Sequence, residues 1–358
     1  MLALEGCNRA RLDARGEGGH YESWFVRANH RTRPLAFWIR YTLLVPKGRP
    51  ADATAEVWAI WFDGESGRHV ALKESVPLAE ATYSTRELDV RIGLSSLDQH
   101  HLEGRVRGRG HTLRWQLDYA GDDAPLLLLD RRWYRRDFPK AKALVALPNA
   151  HFFGGLSVDG VAVPIDGWIG SQNHNWGRAH TDRYAWGQVA GFDGMPHAFL
   201  ECATAWLKVG AVPLPGSTVL VLRADGREWA FNRLAASMLR SSARLAGTTW
   251  ELSARSPRAR VTARFEAAAN AFVALSYDDP PGGVKQCLNS KIASCVVTIV
   301  PRGEPPVTLV SRQRAAFEIL GDRMPYGLGA VSPAAGREPA GTAAAPYAPA
   351  QRPVDTAA

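Results

Sequence analysis

Alternation with a period of two runs through this chain. Residues 112–119 show it most cleanly, with Leu113, Trp115, Leu117 and Tyr119 on one face and Arg114, Gln116 and Asp118 on the other. That is the period of a strand with one wet face. Segments 18–26, 35–45, 56–62, 68–76, 151–163, 183–192 and 195–209 carry related strand-like patterns, as do 219–222, 228–231, 248–255, 260–267, 272–277, 287–300 and 308–318. Turn signals interrupt them at Asp63-Gly64, Asp159-Gly160, Asp193-Gly194 and Asp225-Gly226. Only 232–245 reads as helical. Many short strands with almost no helix predict an all-β chain of antiparallel barrels or sandwiches.

At 358 residues the chain exceeds one ordinary hydrophobic core, so two units of similar size are expected. We place the first at 12–182 and the second at 183–330, meeting around 165–185. Residues 331–358 shift to Ala, Pro, Gly and Thr and read as a disordered tail. No convincing sequence repeat links the halves.

The net charge of +8 comes mainly from Arg scattered along the chain, which argues against a nucleic-acid footprint. The one dense cluster is Arg131-Arg132-Trp133-Tyr134-Arg135-Arg136. It reads either as a grip for phosphates or acidic headgroups, or as a surface held by Arg stacking on aromatic rings. Twelve tryptophans point to aromatic-lined cavities or large packed faces. Cys7, Cys202, Cys287 and Cys295 form no Cys-x-x-Cys pair and read as buried, reduced thiols. No signal-type apolar region and no membrane-length apolar run occur, so we expect a cytoplasmic protein without integral membrane association.

The stretch 166–177, Asp-Gly-Trp-Ile-Gly-Ser-Gln-Asn-His-Asn-Trp-Gly, has no helical period. Its glycines, amides and tryptophans predict a loop whose backbone passes close to something, a hinge between the halves. His174 and Trp176 are expected to be buried there. His174 either works in a site or hydrogen-bonds backbone and holds the two halves in register. Glu201 lies in a strand so apolar that its carboxyl must be paired, protonated or at a cavity, unless it faces solvent from an outer barrel face. Glu22 is flanked on its own face by His20 and Trp24. Two acids in one aromatic cavity would make a general-acid arrangement; on separate faces they would not. His174 and His180 lack a third ligand at recognisable spacing, so no metal is expected. Neither Gly-x-Ser-x-Gly nor any nucleotide-binding fingerprint occurs, and no cofactor is expected.

Three segments resemble the superfamily of carotenoid hydratases and tocopherol cyclases. Gly19-His-Tyr-Glu-Ser-Trp-Phe25 is similar to its opening strand, Gln172-Asn-His-Asn-Trp-Gly177 to its central signature, and Trp186-Gly-Gln188 to the strand that follows. The resemblance implies two lipocalin-like antiparallel barrels in tandem with a lipophilic ligand near their junction. It also implies protonation of an isoprenoid double bond or cyclisation of a polyene. Where the signature carries an acid before the histidine, this chain has Asn173, an amide that cannot donate a proton as an acid does. Any acid role therefore passes to Glu201, to Glu22 or to no residue at all, which weakens the hydratase reading and leaves the binding pocket standing.

Two functions follow. In the first, an isoprenoid- or polyketide-like substrate is hydrated or cyclised, Glu201 protonating it, with Glu22 as the second acid, and His174 orienting it or a water. Trp24, Asn173, Asn175, Trp176, Trp186 and Gln188 would line the pocket. In the second, the protein carries the same kind of molecule without chemistry. The oligomeric state is not readable from the residues.

Overall fold

A computed structural model describes residues 6–12, 18–206 and 216–322, together with the backbone of two short strands, Lys208–Val209 and Val212–Pro213. Nearly every element is a strand. The first sheet has twelve strands. Its order runs from Val70–Pro77 through Thr54–Asp63, Leu35–Val45 and His20–Asn29 to Val161–Gly177, then Ala141–Val158, His111–Ala120 and His101–Gly108. The second sheet has ten strands. At its centre Met195–Ala205 and Tyr184–Phe192 lead to Val307–Gly321 and Val284–Pro301. All these neighbours are antiparallel. Each sheet curls: Val70–Pro77 packs back on His101–Gly108, and Ser217–Ala224 on Ser241–Ala246 and Thr249–Arg255.

The curl gives each sheet its own core, and a third forms where the sheets meet. Trp24, Val26, Tyr41, Trp115 and Phe152 fill the first. Trp250, Phe265 and Phe317 fill the second. Phe25, Trp38, Trp58 and Trp186 pack with Leu275, Tyr277 and Leu320 between the sheets. His20–Asn29 and Leu35–Val45 are consequently buried on both faces, so the polar side chains they carry, among them Glu22, Arg27, Asn29 and Arg40, are enclosed with the apolar ones. His111–Ala120 keeps its wet face and its clean alternation. Each large side chain enclosed this way contributes about 1.5–3 kcal/mol.

Three expectations change. Stretch 166–177 is not a loop but the end of the strand Val161–Gly177, paired on one side with His20–Asn29 and on the other with Ala141–Val158. Its glycines are there because neighbouring backbones leave no room. A Cβ on Gly170 would lie 1.7 Å from the Arg27 carbonyl oxygen. Gly170→Ala must therefore push His20–Asn29 away, and we expect it to destabilise the protein by about 1–3 kcal/mol or more, read as a lowered urea midpoint. An unchanged midpoint would mean that the two strands do not approach this closely. Second, the helix is shorter than expected, Leu234–Arg240, and Ser241–Ala246 is a strand held by pairing to Thr249–Arg255. Third, four short strands between Thr82 and Gly108 complete the first sheet where the sequence was too charged to show them.

Residues 331–358 lie outside the described residues. The Arg131–Arg135 turn is a 3-10 helix in which Arg132 and Arg136 lie over the Trp133 ring at 5.2 and 5.6 Å. All four cysteines are buried and unbridged. No helix of the described residues is long and apolar enough to cross a membrane.

Candidate functional site

Alternation along Val161–Gly177 sends its side chains to two different places. Gln172, His174 and Trp176 point into the first barrel; Ser171 and Asn173 point at the second sheet. The sequence motif is thus divided between two buried clusters.

On the barrel side, His174 Nε2 lies 2.7 Å from Glu22 Oε1, and its Nδ1 lies 2.9 Å from the Cys7 carbonyl oxygen. The Arg11 amide donates to both Glu22 oxygens, at 2.9 and 2.8 Å. Trp24 stacks on the His174 ring at 4.9 Å and donates its indole N–H to the Asn8 carbonyl. Burial pushes the Glu22 carboxyl up, but the bonds from His174, His20 and Arg11 outweigh it and hold it at about 2. A carboxylate held so low is an acceptor, not a proton donor. His174 does hold backbone in place, as one expectation had it. What it holds is the N-terminal segment against the first barrel, not one half against the other.

On the junction side, Glu201 is buried, covered by the first sheet rather than by solvent. Trp186 Nε1 donates to its Oε1 at 2.8 Å and Gln188 Nε2 to its Oε2 at 2.7 Å. Gln188 also donates to Asn173 Oδ1 at 2.8 Å and accepts from Ser171 Oγ at 2.7 Å and from Arg27 Nε at 2.6 Å. Burial raises the Glu201 carboxyl to about 7 against the pull of Trp186, Gln188 and the Arg27 charge. Burial likewise pushes Arg27 down to about 9, with Glu201 opposing.

The cluster continues into residues that sequence reasoning passed over. Arg27 Nη1 donates to Asn29 Oδ1 at 2.7 Å, and Asn29 donates to the Lys291 carbonyl at 2.6 Å. Lys291, fully buried, donates to Asn289 at 2.5 Å and to Glu318 Oε1 at 2.8 Å. Its ammonium lies 5.5 Å from the Trp38 ring and 5.4 Å from the Trp186 ring. Burial lowers its pKa, with Glu318 opposing. A partial signal was present: Arg27 is flanked by Val26 and Ala28 and Lys291 by Ile292, and a cation among apolar neighbours demands a partner.

Thus Asn173, Trp186, Gln188 and Glu201 come together, while Glu22, Trp24, His174 and Trp176 form a separate group across the strand. Asn175 is half-buried on the Asn173 face. The two acids do not share a cavity. A cleft of about 440 Å³ opens where the sheets meet, between Gly64 and His69 on one side and Asn270, Ile292 and Gln313 on the other. Its lining is small and polar rather than aromatic, because the tryptophans are spent on packing. Ile292 also belongs to the apolar cluster of Trp38 and Trp186, so the cleft abuts the buried junction. No group of three or more His, Cys, Asp or Glu able to hold a metal occurs among the described residues.

Fold and site together define a tandem pair of curled, lipocalin-like antiparallel sheets with a buried, charged junction. The chain is similar, at 26% identity over 285 residues, to an uncharacterized protein of Mycobacterium tuberculosis, covering 78% of this chain and 81% of that one. Among solved structures it shares its fold with a provisionally named AttH protein of Nitrosomonas europaea (TM-score 0.55, 13% identity, 87% of this chain and 97% of that one). Kievitone hydratase from Nectria haematococca gives 0.53 at 11% identity, over 88% and 92%. CghA gives 0.50 at 12% identity, over 86% and 90%. No family model matches.

Proposed function

We propose that this protein binds a small isoprenoid- or polyketide-like molecule between its two sheets and hydrates or cyclises it, with Glu201 as the general acid. The observation that carries this reading is Glu201 itself: an enclosed carboxyl raised to about 7, set between Trp186 and Gln188 at the junction. An acid whose pKa sits near the working pH serves proton donation best. Glu201 would give its proton to an alkene carbon. Water or an internal nucleophile would take the adjacent cationic carbon, and the proton then released would return to Glu201. The faces of Trp186 and Trp38 favour the transient cation. Asn173 fixes the orientation of Gln188, and Asn175 extends the lining.

The Nectria protein with this fold is named a hydratase, and adding water to an alkene begins with the same proton delivery. On this reading the chain belongs to the superfamily its motifs resemble, with units at 12–182 and 183–330. We assign Glu22, Trp24, His174 and Trp176 to closing the first barrel around residues 6–12.

The experiment is mass spectrometry of lipophilic molecules released from natively purified protein, followed by their return to stripped protein while tryptophan emission is recorded. A single bound species that changes the emission stoichiometrically and is converted to a hydrated or cyclised product is expected. A species that binds and comes back unchanged would make the protein a carrier. Protein that neither holds nor responds to any such molecule would sink the reading altogether.

A further inference from the structure

The junction is rich in donors that have nothing to donate to. Arg27 is fully buried, and its Nε and Nη1 are engaged by Gln188 and Asn29, yet Nη2 has no hydrogen-bond partner. Trp38 is 1% exposed, and its Nε1 is likewise unpartnered. The two residues face each other in register on neighbouring strands, His20–Asn29 and Leu35–Val45. Such a pair has its Cβ atoms about 5 Å apart, so both donors serve one locality. Further along the same two strands, Ser23 and Thr42 are also paired in register, and both hydroxyls are buried without a partner. Buried polar groups are nearly always satisfied. A wholly hydrocarbon ligand would leave these donors stranded.

Charge points the same way. Arg27 and Lys291 bring two cations to the junction, and Lys291 is paired with Glu318. When Glu201 carries the proton it needs as an acid, Arg27 has no counterion. The guanidinium fork matches a planar oxygen acid better than any neutral group.

We propose that the molecule bound at this junction carries an ionised oxygen acid, a carboxylate or an enolised dicarbonyl, seated on Arg27 Nη2 and Trp38 Nε1. Its apolar body then extends past the cluster that Trp38 shares towards Ile292 and the cleft between the sheets. This rests on the ligand-binding reading above and narrows it to acidic lipophiles.

Pyrenebutyrate and its methyl ester test it, since they share the apolar body and differ in the charge. Energy transfer from tryptophan to pyrene reports binding to the full-length protein. The acid should bind at least about tenfold more tightly than the ester. Arg27→Met should bring the acid down to the ester's affinity and leave the ester unchanged. Trp38→Phe, which keeps the ring and removes the N–H, should lower the acid's affinity in the same direction and covers the case in which the arginine variant does not fold. Equal binding of acid and ester to the wild-type protein would overturn the proposal and leave the ligand-binding reading intact. So would a preference for the acid that survives both substitutions. Failure of both probes to bind would count against the ligand-binding reading and take this proposal with it.

Discussion

Glu201→Gln is expected to lower turnover of the protein's lipophilic substrate by about 10²–10⁴-fold, the usual contribution of a positioned general acid. Binding should change little, because most of its free energy comes from apolar burial that the substitution leaves alone. The wild-type rate should be level below about pH 7 and fall about tenfold per unit above it, as the carboxyl raised to about 7 loses its proton. The same group sets a slope in stability. Its folded pKa lies above its ordinary 4.5. Between these values the folded state keeps a proton that the unfolded state has lost, so stability falls as pH rises through that window. The fall amounts to about 3 kcal/mol, and Glu201→Gln should abolish it. Turnover that persists in the variant with an unchanged pH profile would place the acid elsewhere.

The second large effect belongs to the other cluster and is one of stability. Glu22→Gln removes a carboxylate that accepts from His174 and from the Arg11 amide inside a closed barrel. Taking a buried carboxylate away from the donors arranged round it costs about 1–3 kcal/mol, more where the group is charged. The sign against pH is opposite to that of Glu201. Glu22 is held at about 2, below its ordinary 4.5, so its contribution is present above the unfolded value and lost as pH falls towards 2. Wild type should lose about 3 kcal/mol over that acid range, and Glu22→Gln should lose much less. The variant should therefore be far weaker than wild type at neutral pH and nearly equal to it near pH 2. Parallel denaturation curves at both extremes would show that Glu22 is not held as an ion. Any loss of turnover in this variant should follow the loss of folded protein, since Glu22 points into the first barrel while Glu201 belongs to the second sheet and faces the junction.

Much of this molecule was legible in its residues, and the limits are physical. Period-two alternation and Asp-Gly turns specify strands and hairpins locally, so the all-β character and the tandem order followed from the chain itself. The improbability of a carboxylate in the apolar run around Glu201 singled that residue out but left it either enclosed or facing solvent, and the packing of the two sheets decides for enclosure. What alternation does not say is which face meets what. In 166–177, read as a loop, the alternation of an actual strand places His174 and Asn173 on opposite sides, so a compact motif became two unrelated clusters. Glycines that read as a loop proved to be clearance for a neighbouring backbone, at Gly170 above all. Arg27 and Lys291 lie 264 residues apart and meet only because the outer faces of two sheets pack together. A cation among apolar neighbours announces that it needs a partner, but which partner it meets is a property of the closed structure that no local pattern carries.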